Sequence, residues 1–386
     1  MHRLDRREFL RIGAGAAVVL GAAPLLADCG GSESVLPTAA PTSTSSPLTK
    51  VAIVKGSDLR AMARDVLDAV GGIGSVVGEG QTVFIKPNFV TIGWQSIGRE
   101  AIATGECTKP EITLAVAEEC LKAGAAEVII GDAAQTPSWP WDKVMTLDRS
   151  TNMAAEAQRL TSAYTGKVTL ACLDADSPEW VDVPSQTSLQ KISVSSLVAR
   201  ADRVISIPVL KTHQWAQLTL SMKCFLGTTP LAKYGAKPDG SQARIFLHVA
   251  TGGIEQVFLD IVKGVTPDLA IIDASIGIEG DGPAIGADGA GGKTIDVKER
   301  LGGWLMLASR DPAAADATAA RIIGHEVSQI RQLNMALEQG VGEVREEKIE
   351  IVGERLDSVR MDWVQATPAS PTDLGACPYF PRSVAV

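Results

Sequence analysis

Short apolar runs rich in β-branched residues alternate along the chain with segments whose apolar positions recur at helical spacing. Residues 50–55, 83–85, 127–131, 204–210, 269–272, 304–308 and 349–352 read as strands. Met62, Val66, Leu67 and Val70 fall on one face of a helix that Asp58 can cap, and Gly71-Gly72 ends it. Thr108 fits an N-cap, with Pro110 at an early helical position and Glu111 in the first turn of a helix running to Gly124. Asp311-Pro312 opens another helix, with Asp316 one turn inside it, ending near Gly324. Residues 244–262 read as a helix weakened by Gly252-Gly253, and residues 326–339 as a further helix. Strands alternating with helices predict an α/β fold, a largely parallel, Rossmann-like sheet with helices on both faces.

One stretch stands out. Residues 204–210 are apolar and end abruptly in Lys211, Thr212 and His213. Lys211 and His213, two apart, share one face of an extended chain, and Thr212 points the other way. Residues 217–225 read as a helix carrying Thr219, Ser221 and Lys223, which Gly227 could close. Ligands of parallel sheets collect beyond the carboxyl ends of the strands. Lys86, Asn88, Asp132, Lys211, His213, Asp273 and Asp311 all fall at predicted strand exits, so they are expected to line one crevice.

The amino terminus carries an address. Arg6-Arg7, then Phe9-Leu10, then a weakly apolar Ala/Gly-rich segment predict a twin-arginine signal over residues 1–28 and hence the twin-arginine translocase as a partner during export. Cys29 sits in a lipoprotein-like box in which Asp28 is a poor fit. Lipid anchoring at Cys29 and simple cleavage near Ala27 therefore both stand as readings. Residues 29–49, rich in Ser, Thr and Pro, are expected to form a disordered tether. The α/β domain then spans residues 50–325, with a helix/strand extension over 326–386. The expected location is extracytoplasmic, periplasmic or membrane-tethered.

Composition narrows the classes. The 386 residues are 45% hydrophobic and carry a net charge of −9, with no basic tract in the body, which argues against nucleic acid as a partner. The six cysteines form no Cys-x-x-Cys pair, so no iron–sulfur cluster is expected. No Gly-x-Gly-x-x-Gly or Gly-x-Ser-x-Gly follows a strand, so neither a nucleotide cofactor nor ordinary serine hydrolysis is indicated.

The candidate chemistry follows from residue type. Lys86, Lys211 and Lys223, with Asn88, suit a small carboxylate or phosphate ligand; the bland alternative pairs the lysines with Asp132 or Asp273 as structural ion pairs. His213, beside Lys211, is the candidate acid/base, against the alternative of a satisfied core histidine. Asp273, Glu279 and Asp281 are hard oxygen donors around flexible glycines and are the candidate ligands of a divalent metal, the one cofactor considered. The loop 278–283 could instead bind an anion through its backbone N–H groups, or simply turn. Two functions remain open: an exported enzyme acting on a small anion, and a non-catalytic tethered protein that binds a ligand or metal.

Several segments occur together in a familiar order: Lys86-Pro87-Asn88, Gly131-Asp132, residues 208–213 (Pro-Val-Leu-Lys-Thr-His), residues 221–227, residues 273–283, and Asp311-Pro312 with Asp316. Together they resemble the family called domain of unknown function 362 (DUF362) over roughly residues 83–324. Members of that family commonly have Lys-Asn where this chain has Lys223-Cys224. Some carry ferredoxin-type clusters, for which this chain lacks the cysteines. The resemblance implies shared fold and supplies no reaction.

Overall fold

The computed structural model describes residues 47–93, 100–235, 244–285 and 291–368. The twin-arginine segment, Cys29 and nearly all of the tether lie outside the described residues. Among those residues, one sheet is built from β1 (Thr49–Gly56), β2 (Thr82–Pro87), β3 (Glu127–Asp132), β4 (Lys167–Cys172), β7 (Arg203–Ile207), β8 (Val209–His213), β9 (Gln217–Thr219), β10 (Leu269–Ile285), β11 (Gly291–Asp296), β12 (Trp304–Ser309) and β13 (Ile349–Gly353). A separate hairpin joins β5 (Trp180–Pro184) to β6 (Lys191–Ser195).

The main path runs β13-β1-β12-β10-β7-β2-β3-β4. The segment β10-β7-β2-β3-β4 is parallel throughout. β12 runs antiparallel to both β1 and β10, and β13 is parallel to β1. The sheet is therefore largely parallel, with one reversed strand on its main path.

Alternation along each strand feeds two cores. Val83, Ile85, Ile205 and Ile271 face one side with α1 (Leu59–Ala69) and α2 (Pro110–Lys122), and α3 (Met153–Ala163) contributes Met153 and Leu160 to that layer. Phe84, Val204, Ala270 and Ile272 face the other with α4 (Ile254–Val265), α5 (Pro312–Ile322) and α6 (Arg331–Glu338). Helices cover both faces because a parallel strand buried on both sides must offer apolar residues at every position. Beyond residue 325, β13 extends the sheet and Leu333 and Ala336 of α6 join the second core.

Caps follow the sequence where the side chain has a local task. Asp58 accepts from the Arg60 and Ala61 N–H groups, and Asp311 from those of Ala313 and Ala314. Thr108 does not cap α2. Its hydroxyl donates to the Ile207 carbonyl at 2.7 Å, and Lys109 occupies the cap position.

Three expected elements differ. Residues 217–225 are not one helix: β9 pairs antiparallel with β8, and a 3-10 turn follows over Lys223–Thr228. Gln217 takes φ +61°, which starts a tight return strand and not a helix. Gly227 lies inside the 3-10 segment at φ −73° and does not terminate a helix. The stretch 244–262 splits into a short turn over Ile245–His248 and α4, because Gly252 and Gly253 adopt φ +112° and +90°. The expected loop at 278–283 is the far half of β10, paired with β11.

Candidate functional site

The parallel direction of β2, β3, β7 and the first half of β10 puts their carboxyl ends at one rim. β12 runs the other way, so Asp311, at its exit, belongs to the opposite rim: Ser309 pairs with Ala270 at the start of β10. Asp311 instead holds the turn before α5 and accepts from the Glu343 N–H at 2.8 Å. Hydrophobic patterning gives strand position but not direction, so Asp311 leaves the expected crevice.

Two lysines at this rim have dedicated carboxylates. Lys86 Nζ lies 2.6 Å from Asp132 Oδ1, with both side chains buried. It also donates to the Pro87 carbonyl at 2.7 Å, and Asp132 Oδ2 accepts from the Phe89 N–H at 2.5 Å. Gly227 is pressed against this pair; a Cβ there would stand 2.2 Å from Asp132 Oδ1. Asn88 pins the same turn, its Oδ1 accepting from Val90 N–H at 3.2 Å. Lys109 takes Asp273. Its Nζ is 3.4 Å from Asp273 Oδ2, and its backbone N–H donates to the same oxygen at 3.0 Å. Lys109 also donates to the Ile276 carbonyl, and Asp273 Oδ1 accepts from Ser275.

Lys211 and Lys223 are arranged otherwise. In the β8–β9 register Lys211 faces Thr219 and His213 faces Gln217, so these side chains share one face of the hairpin. Thr212 is on the other face, its hydroxyl donating to the Ile278 and Gly280 carbonyls. Lys211 is fully buried and donates to the Glu106 carbonyl at 2.7 Å. Among the described residues it forms no ion pair within 4 Å, and neither does Lys223. Burial lowers the Lys211 ammonium to about 8, against the raising influence of Cys107 and Glu106. Lys223 is only partly buried, yet desolvation, followed by repulsion from Lys211, brings it to about 7.

Two imidazoles complete the cluster. His213 is buried and stacks on His248 with centroids 6.5 Å apart and rings 19° from parallel; Trp215 meets His248 edge-on at 5.7 Å. His213 Nδ1 accepts from the Trp215 N–H at 3.0 Å, which leaves the proton of the neutral ring on Nε2. Burial, then the charge of Lys223, holds His213 well below its ordinary value and His248 at about 4. The site is thus a neutral-imidazole, lysine-rich corner.

The turn carrying Lys223 is fixed from both sides. Asp316, from α5, accepts from the Ser221 and Met222 N–H groups at 2.8 and 3.1 Å. Cys224 Sγ lies 3.6 Å from both the Lys86 and Pro87 carbonyls. Cys224 therefore links the Lys86–Asp132 pair to the turn that presents Lys223.

The expected metal set does not gather. Asp273 is engaged by Lys109 and Ser275. Glu279 lies 3.2 Å from the Arg300 guanidinium and accepts from the Val364 N–H; Asp281 accepts from the Thr367 N–H at 2.6 Å. Among the described residues, no group of three His, Cys, Asp or Glu side chains could hold a metal ion. The cause is the long β10: the glycines read as a flexible loop lie in a strand, which spaces the carboxylates along its length.

The sequence reading missed Lys109 as a partner of Asp273, and Glu106 with Cys107 as the floor under Lys211. Lys109 was legible only as part of a helix start.

The family model described as Domain of unknown function (DUF362) matches residues 83–321, more than half of the chain. The chain belongs to the DUF362 family. That span of this DUF362 protein contains Lys86, Asp132, Lys211, His213, Lys223 and Asp273. The protein is 26% identical over 238 residues to the thylakoid-associated protein sll1697 of Synechocystis, which covers 60% of this chain and 63% of that protein. It therefore spans less than two thirds of that relative's length. Among solved structures, the lactate racemase apoprotein from Thermoanaerobacterium thermosaccharolyticum aligns at TM-score 0.36 and 10% identity, over 74% of this chain and 57% of the other. A protein from Thermotoga maritima aligns at TM-score 0.30 and 10% identity, over 58% and 53%. Among the described residues of the DUF362 protein, no helix is long and apolar enough to cross a membrane.

Proposed function

We propose that this DUF362 protein binds a small anion, a carboxylate or phosphate, at the strand-end corner formed by Lys211, Lys223, His213 and His248. One observation carries the reading: Lys86 and Lys109 each have a buried carboxylate, whereas Lys211 and Lys223 share a desolvated space with no ion-pair partner among the described residues. Cations brought together without a counter-charge repel one another, and a bound anion would relieve that cost. The anion is the natural missing partner. Lys223, partly exposed, would meet it first, with Lys211 behind. His213 has a proton on Nε2 to give, so acid/base chemistry on the bound anion is the enzymatic form of this reading. No step is assigned to a divalent metal, because the expected donors are engaged elsewhere. The same reading has the protein exported by the twin-arginine route and working outside the cytoplasm, tethered at Cys29 or released. Its similarity to a thylakoid-associated protein accords with work at a membrane.

Calorimetry with phosphate, acetate and succinate tests the binding. Lys223→Met should weaken the anion that binds by about 10-fold to 100-fold, the scale of one hydrogen bond to a charged group. Binding should tighten as pH falls through about 7, where Lys223 gains its proton. Equal affinity in wild type and variant would sink the reading. His213→Ala then separates the two functions: an enzyme loses turnover and keeps its affinity, whereas a binding protein loses affinity alone.

A further inference from the structure

Lys223 has a property that simple anion binding leaves unused. Among the described residues its amine makes no hydrogen bond and no ion pair, and the residue is partly exposed. The turn that carries it, by contrast, is held firmly: Asp316 takes the Ser221 and Met222 N–H groups before it, and Cys224 after it lies against the β2 carbonyls. A free amine on a rigid base, beside a second cation, is the arrangement that turns lysine into a nucleophile. One further group points to a ligand there. The hydroxyl of Thr219, which faces Lys211 across the hairpin, is buried with no hydrogen-bond partner among the described residues. A buried hydroxyl left unpaired is destabilising, and an incoming carboxylate would remove that cost.

We propose that Lys223 condenses reversibly with the carbonyl of a small 2-oxo acid to form an imine. The proposal rests on the anion-site reading, because the carboxylate delivers the carbonyl to the amine. Lys211 and the free Thr219 hydroxyl hold the carboxylate, and the adjacent carbonyl carbon meets Lys223 Nζ. The nitrogen lone pair forms the C–N bond as the carbonyl π pair moves onto oxygen. His213 Nε2–H hydrogen-bonds that oxygen, and the ammonium nitrogen passes it one proton to give the neutral carbinolamine. A second proton transfer from nitrogen expels the oxygen as water and leaves C=N. No oxidant or reductant is required. The amine is near neutral at about pH 7, so the free-base form is available without strongly alkaline conditions.

The test is reductive trapping on the full chain. The protein is incubated with pyruvate and cyanoborohydride at pH 6 and pH 8, digested, and mapped by mass spectrometry. The expected result is one dominant adduct on Lys223. It should be at least several-fold stronger at pH 8, lost in Lys223→Arg, and reduced about tenfold or more by Lys211→Met. A label absent from Lys223, or spread over exposed lysines such as Lys122 and Lys191 in proportion to their exposure, overturns the proposal. Succinate, which has no carbonyl, separates the two ideas. Succinate binding without a pyruvate adduct removes the imine and leaves the anion site standing; no binding of either removes both.

Discussion

Lys86 and Lys223 lie on either side of Cys224 and should respond oppositely to the same substitution. Lys86→Met removes the partner of a carboxylate whose side chain is 3% exposed. Asp132 would keep the Phe89 N–H but lose its counter-charge in a buried setting. Breaking one side of a buried ion pair costs about 3–5 kcal/mol. With unfolding entropy of about 2.1 cal/mol/K per residue over the roughly 300 described residues, that lowers Tm by about 5–8 °C. Lys223→Met leaves no group stranded and relieves repulsion with Lys211, so its Tm should equal or exceed that of wild type. Scanning calorimetry of both variants at pH 6, where Lys223 is largely charged, gives the comparison. A Lys86→Met protein within about 1 °C of wild type would refute the buried-pair reasoning. A comparable fall for Lys223→Met would mean that this lysine has a structural partner, and the argument from a missing counter-charge would collapse.

Two further predictions address the frame around the site. Burial raises the Asp316 carboxyl to about 7, against the lowering effect of the Met222 N–H and of the Ser221 hydroxyl and N–H. Between about pH 4 and 7 the folded state therefore holds a proton that the unfolded chain has released, and this stabilising contribution is lost as pH rises through about 7. The Tm of Asp316→Asn relative to wild type should thus climb from pH 5 to pH 8; a flat difference would count against the shift. His213 and His248 have the opposite sign, but they are present in both proteins and largely cancel in the difference. Gly227→Ala would place a Cβ 2.2 Å from Asp132 Oδ1 and 2.9 Å from Lys86 Nζ, and should cost about 1–3 kcal/mol in urea unfolding. Gly74→Ala, with no atom within 4 Å of its Cβ, is the neutral control.

What could be read in advance follows from what patterning encodes. Apolar runs gave β2, β3, β7 and the start of β10, and parallel packing then placed Lys86, Asp132 and Asp273 at one rim. Direction was not encoded, so Asp311 was assigned to the wrong end. Residues 217–225 misled because Leu218, Leu220 and Met222 alternate at two, whereas Met222 and Phe225 are three apart; the positive φ of Gln217 resolves the conflict in favour of a hairpin. Pairing between distant charges was not legible either. Of the alternatives weighed for the lysines, Lys86 takes the structural ion pair, whereas Lys223 forms no ion pair among the described residues. Only the fold could show that Asp273 would be taken by Lys109, which was read for its place before a helix and not for its charge.

The placement of β1 bears on how the chain is finished. Val51 is held between Ser309 on one side and Ile351 on the other, so β1, the first strand among the described residues, waits for two neighbours that are made long after it. Such long-range closure slows the last stage of assembly. It also makes the order of the leading strand a report on synthesis: a chain truncated before β12 has neither edge to dock against, and its front end stays loose.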